Sequence, residues 1–193
     1  MGKLCYDDPM NAPDLQRASE KLQQGGIIAY PTEAVWGLGC DPGNYPAVKR
    51  ILRLKNRSEA EGLILLAAGM DQLPALFATL NASQKARLAS SWPGPTTWLI
   101  PDPDHLFPDW IKGQHQTVAI RVSAHPLVQA LCSKFGGPIV STSANRTGAK
   151  EIRSRAGLEE KFGDSIDYIV SGELGAAART SEIRDLMSNR RIR

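Results

Sequence analysis

Apolar residues recur along the chain at two spacings, one typical of amphipathic helices and one typical of strands. Leu15, Ala18 and Leu22 share one helical face and predict a first helix. Either Asn11 or Asp14 can cap that helix. The helical spacing predicts further helices at 48–54, 73–80, 83–91, 126–135 and 157–162, with Ser83 as the expected cap of the helix at 83–91. Short apolar or alternating runs predict strands at 27–30, 63–67, 96–100, 117–122, 138–142 and 168–170.

This alternation of strands and helices predicts the α/β class, with helices on both faces of a mixed but largely parallel sheet. Several connections are too short for a crossover helix, so some neighbouring strands are expected to be antiparallel. Glycine and proline are spread along the chain as turn signals and are not pooled in a linker. We therefore expect a single domain over residues 10–190, preceded by an N-terminal extension over residues 1–9.

The composition of the 193 residues is close to that of an average globular domain, with 42% hydrophobic and 22% charged residues. It excludes a disordered or fibrous chain, and no apolar run reaches the length of a membrane-spanning helix. The three cysteines, Cys5, Cys40 and Cys132, lie far apart and fit a reducing compartment. Since residues 1–9 lack the apolar segment of a signal peptide, we predict a cytoplasmic protein without membrane contact.

The net charge of +3 at pH 7 permits phosphate-bearing partners without requiring them. Arg190, Arg191 and Arg193 crowd the last residues, and we interpret them as a solvated tail. The sequence lacks the P-loop, the dinucleotide-binding glycine pattern, the GxSxG elbow and the HExxH zinc motif. The three histidines stand apart from one another, and we predict no metal site built from protein ligands alone.

Two clusters of polar residues directly follow predicted elements. Thr32 and Glu33 come after the strand at 27–30, where α/β sheets commonly bind ligands. The alternative is an ordinary turn in which the Thr32 hydroxyl bonds its own backbone. Lys55 and Arg57 follow the second helix and can grip a polyphosphate. The alternative there is that both cations complement the helix dipole.

The strand at 117–122 carries an arginine among apolar residues. Alternation places Thr117, Ala119 and Arg121 on one face and three apolar side chains on the other. A buried arginine needs an anionic partner. That partner is either an internal carboxylate or the carboxylate of a substrate.

Small polar residues run from the end of the strand at 138–142 into the next loop. If the extended backbone continues, Ser141, Ser143 and Asn145 share one face. Two hydroxyls and an amide ahead of Gly148 can cradle phosphate oxygens. The alternative is a turn that is simply rich in serine and asparagine.

In this order along the chain, the four clusters resemble the YrdC family, in particular its short stand-alone form. Seven motifs carry the resemblance: PTEAVWGLGCDP at 31–42, LKNR at 54–57, SWPGPTTW at 91–98, TVAIRV at 117–122, HPLV at 125–128, STSANRTG at 141–148 and SEIRD at 181–185. Each motif alone is weak, but seven in the correct order are highly specific. Two positions depart from the pattern, with Trp36 where many members carry Tyr and Ser58 where many carry Pro.

The resemblance implies a twisted sheet folded around a large, positively charged cavity. It also implies an enzyme, a nucleotidyltransferase that condenses L-threonine, bicarbonate or CO2, and ATP into L-threonylcarbamoyl-adenylate and releases pyrophosphate. Its partner would be a complex of the TsaD, TsaB and TsaE type. That complex places the threonylcarbamoyl group on the adenosine at position 37 of tRNAs that read ANN codons.

The resemblance further assigns catalytic roles residue by residue. Lys55 and Arg57 would neutralise the triphosphate of ATP and the departing pyrophosphate. Ser143 and Asn145 would hold phosphate oxygens beside them. These four residues are the expected catalytic residues, and they also belong to the expected ATP site.

The remaining roles concern the two substrates. Arg121 would bind the carboxylate of L-threonine, with Thr32 and Ser181 also touching the amino acid. Thr117 and Ser141 would line the nucleotide side. Mg2+ is expected to bridge the ATP phosphates, without an all-protein site. The alternative from another class is a non-catalytic RNA-binding or ribosome maturation factor, which would use the basic cavity to contact RNA or tRNA.

Overall fold

The computed structural model describes residues 12–177 and 180–193 of the chain. These residues form one eight-stranded sheet with helices packed on both of its faces. The α/β class expected from the alternation of elements is therefore confirmed. The expected extension over residues 1–9 and the candidate cap Asn11 lie outside the described residues, and the single domain over 10–190 stays a prediction.

Most elements begin and end close to the positions that the apolar pattern predicts. The helices are α1 (Ala12–Gln23), α2 (Tyr45–Lys55), α3 (Pro74–Ala78), α4 (Ala82–Ala89), α5 (Asp109–Lys112), α6 (Pro126–Phe135) and α7 (Arg155–Phe162). The strands are β1 (Ile28–Pro31), β2 (Trp36–Gly39), β3 (Ile64–Ala67), β4 (Thr96–Pro101), β5 (Thr117–Val122), β6 (Ile139–Ser143), β7 (Tyr168–Ile169) and β8 (Glu182–Asp185). No helix in the described ranges is both long enough and apolar enough to cross a membrane.

The strands lie in the order β7-β1-β2-β6-β3-β5-β4-β8. Three neighbouring pairs are parallel, β1 with β7, β3 with β5 and β4 with β8, and the other four pairs in the described part of the chain are antiparallel. The sheet is mixed as expected, but the expectation that it is largely parallel is wrong. A short connection explains one antiparallel pair, since the turn over 32–35 is too short for a crossover between β1 and β2. The other three antiparallel pairs join strands that lie further apart along the chain.

The sheet separates a large apolar core from a face that is partly polar. The three apolar side chains of β5 point into the large core, which α2, α3 and α4 cover. Thr117, Ala119 and Arg121 line a cavity on the opposite face, so the alternation predicted for this strand is confirmed. A second apolar core, to which α1 and α6 contribute, covers one end of that opposite face. The other end is left for the cavity.

Three elements, β2, α5 and β8, are absent from the prediction. β2 was hidden by its two glycines, because glycine weakens the pattern of a strand. Those glycines make room for an aromatic ring: a Cβ added at Gly39 would lie 2.8 Å from the ring of Tyr30, and one at Gly37 would lie 3.3 Å from it. The β1–β2 hairpin can therefore pack tightly beneath the cavity.

The start of α4 also differs from the prediction. The helix begins at Ala82, and its cap is Asn81 instead of a residue near Ser83. The Asn81 side chain accepts from the amide of Gln84, and the Gln84 side chain accepts from the amide of Asn81. This reciprocal pair satisfies two amides at the helix start, which a cap at Ser83 would leave free.

Candidate active site

The partly polar face of the sheet forms a wall of a cavity of about 370 Å³, a volume typical of small-molecule sites. The described residues that line it are Thr32, Glu33, Ala34, Val35, Gly37, Arg57, Glu61, Gly62, Leu63, Ile64, Pro95, Leu99, Ile111, Lys112, His115, Thr117, Ala119, Arg121, Ser141, Thr142, Ser143, Glu151, Ala177, Thr180, Ser181, Ile183, Ile192 and Arg193. Among them are four Lys or Arg residues and three Glu residues. The strongly positive charge expected of the cavity therefore stays a prediction.

Thr32 lies in the turn between β1 and β2, and its hydroxyl is held within that turn. The Oγ1 atom donates to the carbonyl oxygen of Val35 at 2.7 Å. This is the turn bond considered as the alternative, yet the buried Thr32 also lines the cavity. Since the hydroxyl proton is already donated, the oxygen offers a lone pair, which suits a ligand that donates a hydrogen bond.

Arg121, on β5, meets an internal carboxylate. Its Nη1 lies 2.8 Å from Oε2 of Glu33, and the two side chains are 10% and 17% exposed. The Ser123 hydroxyl and the Ala124 amide donate to the other oxygen of Glu33 at 2.6 and 3.2 Å. Burial acts to raise the pKa of Glu33, but the Arg121 charge and the Ser123 hydrogen bond outweigh burial and lower it. Of the two partners considered for Arg121, the internal one is present, while the residue still lines the cavity.

Lys55, the last residue of α2, lies behind the cavity wall and is only 3% exposed. Its ammonium donates to the carbonyl oxygens of Ser143 and Asn145 at 2.5 and 2.7 Å, and lies 3.4 Å from Oδ1 of Asn145. Burial and, to a lesser extent, the nearby Arg57 charge lower the pKa of Lys55 to about 8. The charge of Lys55 therefore fixes the backbone of the segment 143–145.

The predicted phosphate cradle is divided by the end of β6. Ser141 and Ser143 line the cavity, but Asn145 is not among the described residues that do. The expectation that all three share one face is therefore wrong for Asn145, because β6 ends at Ser143 and the chain then turns. The Ser143 hydroxyl donates to Oδ1 of Asn145 at 2.6 Å, and Nδ2 of Asn145 donates to the carbonyl oxygen of Ala149 at 2.7 Å. Asn145 thus holds Ser143 in place.

Arg57 lines the cavity beside the 3-10 turn Glu59–Glu61. Its Nη2 donates to the carbonyl oxygen of Gly62 at 2.9 Å. Ser58 caps the turn, since its amide donates to the Glu61 carboxylate at 3.2 Å and its hydroxyl accepts from the Ala60 amide. Proline has no amide hydrogen, so the serine at this position makes a bond that a proline could not.

Thr117 and Ser181 reach the cavity from two other strands. Thr117 begins β5 and lies four residues from Arg121, roughly 13 Å along an extended strand. Ser181 directly precedes β8, and its hydroxyl lies 2.9 Å from the hydroxyl of the buried Thr97 on β4. Both residues line the cavity.

The structure therefore brings the predicted residues together around one cavity, in two groups that we name. The groups are the Arg121 end (Thr32, Glu33 and Arg121) and the Lys55 end (Lys55, Ser143 and Asn145). The substrate and catalytic roles of the individual residues stay predictions.

Two parts of the cavity wall were missed by the motifs. Lys112 forms an ion pair of 2.9 Å with Asp102, and both side chains are almost fully buried. Arg193 lines the cavity because residues 190–193 fold back along β8, where the amide of Ile192 donates to the carbonyl oxygen of Ile183 at 2.7 Å. Arg190, Arg191 and Arg193 are all exposed, as the interpretation of a solvated tail expects, and Arg193 borders the cavity as well. The turn residue Asn189, with φ of 57°, is the signal that could have predicted this return.

Comparisons with known proteins identify the family. The family model Sua5_yciO_yrdC, described as telomere recombination, matches residues 20–193. The chain belongs to the Sua5/YciO/YrdC family. Within this family it is 52% identical over 172 residues to the Threonylcarbamoyl-AMP synthase of Chromohalobacter salexigens, which covers 89% of this chain and 92% of that protein. It is 48% identical over 179 residues to the Threonylcarbamoyl-AMP synthase of Pseudomonas fluorescens, over 93% of this chain and 96% of that protein.

Solved structures share the fold. P. abyssi Sua5 complexed with L-threonine has a TM-score of 0.81 and 31% identity, over 89% of this chain and 50% of that one. This Sua5/YciO/YrdC chain thus spans about half the length of that Sua5. E. coli YciO, at 22% identity and a TM-score of 0.77 over 89% of this chain and 82% of that one, shares the fold. The resemblance to the YrdC family drawn from the seven motifs is confirmed.

Proposed function

We propose that this member of the Sua5/YciO/YrdC family synthesises L-threonylcarbamoyl-adenylate from L-threonine, bicarbonate or CO2, and ATP, with release of pyrophosphate. One observation carries the proposal: a single cavity joins a buried arginine, Arg121, to the hydroxyls of Ser141 and Ser143 and the guanidinium of Arg57. Relatives about half identical in sequence, matched over nearly their whole length, are named Threonylcarbamoyl-AMP synthase. The enzyme class is that of a nucleotidyltransferase.

L-Threonine binds at the Arg121 end in this proposal. The guanidinium of Arg121 has donors beyond the one that faces Glu33, and they suit the α-carboxylate. The Thr32 oxygen accepts a hydrogen bond and suits the α-amino group. Ser181 lines the same cavity and can meet the rest of the amino acid. A related Sua5 complexed with L-threonine supports this choice of ligand.

ATP binds toward the Lys55 end, along Thr117, Ser141 and Ser143. Arg57 meets the phosphates directly, because it lines the cavity. Lys55 acts from behind the wall, by fixing the backbone of the segment 143–145. The roughly 13 Å that separates Thr117 from Arg121 leaves room for a nucleotide beside an amino acid.

The chemistry needs two bond-forming steps. The amine of threonine, after losing a proton to solvent, attacks the carbon of bicarbonate, and water leaves to give N-carboxy-threonine. An oxygen of this carbamate then attacks the α-phosphorus of ATP. The bond from that phosphorus to the bridging oxygen breaks, and pyrophosphate leaves with the electron pair. No protein nucleophile is needed, so positioning and charge stabilisation supply the catalysis.

Mg2+ would bind on the ATP phosphates. Glu61 and Glu151 line the cavity, and both carboxylates act on the pKa of Lys55, so they lie near the Lys55 end. Carboxylate oxygens are ligands that Mg2+ accepts, so the residues present fit a phosphate-bound ion. When bound, Mg2+ would neutralise phosphate charge and orient the triphosphate. Within residues 12–177 and 180–193, no group of three or more acidic, His or Cys side chains could hold a metal.

The product is a labile mixed anhydride, so an enzyme that uses it should act before water hydrolyses it. We propose a complex of the TsaD, TsaB and TsaE type in the cytoplasm, which moves the threonylcarbamoyl group to position 37 of ANN-decoding tRNAs. The alternative of a non-catalytic RNA-binding or ribosome maturation factor is not favoured, since the relatives are named for the synthase. Any direct contact of RNA or tRNA with residues 190–193 would weaken with salt, and less steeply in an Arg190→Ala variant.

The test is the release of pyrophosphate by the purified protein with ATP, Mg2+, bicarbonate and L-threonine. We expect release that requires both L-threonine and bicarbonate. Supplying each other amino acid in place of L-threonine measures selectivity. A folded protein that releases no pyrophosphate under any combination contradicts the proposal and moves RNA binding to first place.

A further inference from the structure

We propose that Glu33 is a positioning and specificity-determining residue of the amino-acid subsite. Its carboxylate holds the guanidinium of Arg121 and cancels its charge, so that the subsite prefers an amino-acid zwitterion to a plain carboxylate. This inference rests on the proposed function, because it assumes that L-threonine binds at the Arg121 end.

One oxygen of the Glu33 carboxylate is held by hydrogen bonds, and the other makes an ion-pair contact without a hydrogen bond. Arg121 lies 2.8 Å from Oε2, and the Ser123 hydroxyl donates to Oε1 at 2.6 Å. Ser123 is itself fixed, since its oxygen accepts from the amide of His125 at 3.1 Å. The ion pair with so constrained a carboxylate restricts how the guanidinium can turn, and with it the directions of its remaining donors.

The backbone of Glu33 is fixed as well. Its carbonyl oxygen accepts from the amide of Ala177 at 2.9 Å. Gly175 packs so closely that a Cβ added there would lie 2.8 Å from the Cα of Glu33. These contacts restrict the movement of both the side chain and the backbone of Glu33.

These contacts give the subsite a positive and a negative side. Arg121 supplies the positive side. Glu33 stays ionised at neutral pH because its pKa is lowered, and the adjacent Thr32 oxygen offers a lone pair. Since the two side-chain charges sum to zero, an added ligand that carries both an ammonium and a carboxylate leaves the subsite neutral. A ligand with a carboxylate alone leaves a net negative charge in a largely buried place, which is costly.

The test compares L-threonine with 3-hydroxybutyrate, which is threonine without its amino group. The KM of L-threonine and the inhibition constant of 3-hydroxybutyrate are measured by pyrophosphate release at saturating ATP. In Glu33→Gln we expect the KM of L-threonine to rise about tenfold, the size of one charge-assisted hydrogen bond, with kcat changed far less. The inhibition constant of 3-hydroxybutyrate should fall, because the Arg121 charge is no longer cancelled.

Two further variants separate positioning from simple damage. Ser123→Ala keeps the Glu33 charge but removes a hydrogen bond that holds its carboxylate. The KM of L-threonine should therefore rise, while 3-hydroxybutyrate remains a poor inhibitor. In the Arg121→Ala background, Glu33→Gln should not cause the tenfold rise in the KM of L-threonine that it causes alone, if Glu33 acts through Arg121. The matched control is Glu159→Gln, which breaks an exposed Arg–Glu pair of the same 2.8 Å length on α7 and should change neither constant.

The outcomes distinguish this inference from the proposed function. If the unaltered protein releases no pyrophosphate with L-threonine, both fail. If the unaltered protein is active but Glu33→Gln is folded and keeps the same ratio of the two constants, this inference alone is overturned. Folding is checked for each variant by thermal unfolding. If Glu33→Gln does not fold, an unchanged KM of L-threonine in Ser123→Ala overturns the positioning role.

Discussion

At the Arg121 end of the cavity a charged side chain borders the ligand space, whereas at the Lys55 end the charged side chain lies behind the wall. The charge of Arg121 is neutralised by one carboxylate, that of Glu33. Lys55 instead meets carbonyl and amide oxygens of the segment 143–145, and the described residues place no carboxylate within ion-pair distance of it. At the Arg121 end the buried charge therefore faces the ligand directly, and at the Lys55 end it acts through the shape of the segment 143–145.

The two buried cations of this site, Arg121 and Lys55, therefore need not play the same role. A substitution of Arg121 should change the KM of L-threonine, because the guanidinium borders the cavity. A substitution of Lys55 should change the Kd of ATP and kcat, because the shape of the segment 143–145 determines how the phosphates are held.

The largest effect is expected from Arg121→Ala. It removes the carboxylate-binding group and leaves the Glu33 charge buried without its partner. The KM of L-threonine should rise at least about 100-fold, and the free energy of unfolding should fall by about 3 kcal/mol. Steady-state kinetics and urea unfolding measure the two changes, with Arg155→Ala, which breaks an exposed pair, as the control. An equal loss of ATP affinity would erase the contrast between the ends.

The next effect is expected from Lys55→Met, which keeps the length of the side chain and removes its charge. The segment 143–145 loses its buried donor, so kcat should fall about 100-fold and the Kd of ATP should rise about tenfold. The Kd of L-threonine should change less than about twofold, as calorimetry can show. Lys85→Met, on the exposed face of α4, is the matched control. A loss of threonine affinity as large as that of ATP would show that the ends are not separate.

A smaller effect should follow pH. Because the pKa of Lys55 is lowered to about 8, its ammonium is charged below that pH and neutral above it. The neutral amine has one donor fewer, so the Kd of ATP should rise severalfold as pH is raised from about 7 to about 9. The rise should be absent in Lys55→Met. An identical rise in that variant would place the titrating group elsewhere.

The same shift has the opposite sign for stability. Between about pH 8 and 10.5 the unfolded chain keeps the Lys55 proton that the folded protein has lost. Stability rises with pH wherever the unfolded state binds more protons, so this group makes the free energy of unfolding rise over that interval. Urea unfolding of the unaltered protein and of Lys55→Met over the interval isolates the contribution.

The smallest effect is expected from Ser58→Ala. The change removes the hydroxyl that accepts from the Ala60 amide but keeps the Ser58 amide that donates to Glu61. The free energy of unfolding should fall by about 0.5 kcal/mol, and the KM values of both substrates should stay within about twofold. A clear rise in the KM of ATP alone would show that Arg57 depends on this cap and would extend the Lys55 end to it.

The sequence predicted best where the pattern was strict. In β5, alternation determines which side chains face the core, and the structure agrees residue by residue. β2 was not predicted, because Gly37 and Gly39 remove the alternation of apolar and polar residues. These glycines make room for the ring of Tyr30, which lies on another strand. The share of parallel pairs was wrong because the register between strands distant in sequence is set by connections whose paths are not local.

The cavity was predicted in its residues but not in its contacts. The motifs named Arg121 and Lys55, yet the sequence left both a substrate and an internal partner open for Arg121. Its partner Glu33 approaches because the turn over 32–35 bends toward β5, which is a tertiary event. Nothing in the order of residues shows that Lys55 points behind the wall, since that depends on how α2 packs beside β6.

The strand order also has a consequence for synthesis of the protein. β1 and β2 leave the ribosome early as a hairpin, but their outer neighbours are β7 and β6, at Tyr168–Ile169 and Ile139–Ser143. Both edges of the hairpin therefore stay unpaired until residues 139–169 have been translated. Unpaired strand edges can pair with the wrong strand. The interval in which the hairpin can pair wrongly therefore lasts through most of translation and ends only when β6 and β7 have emerged.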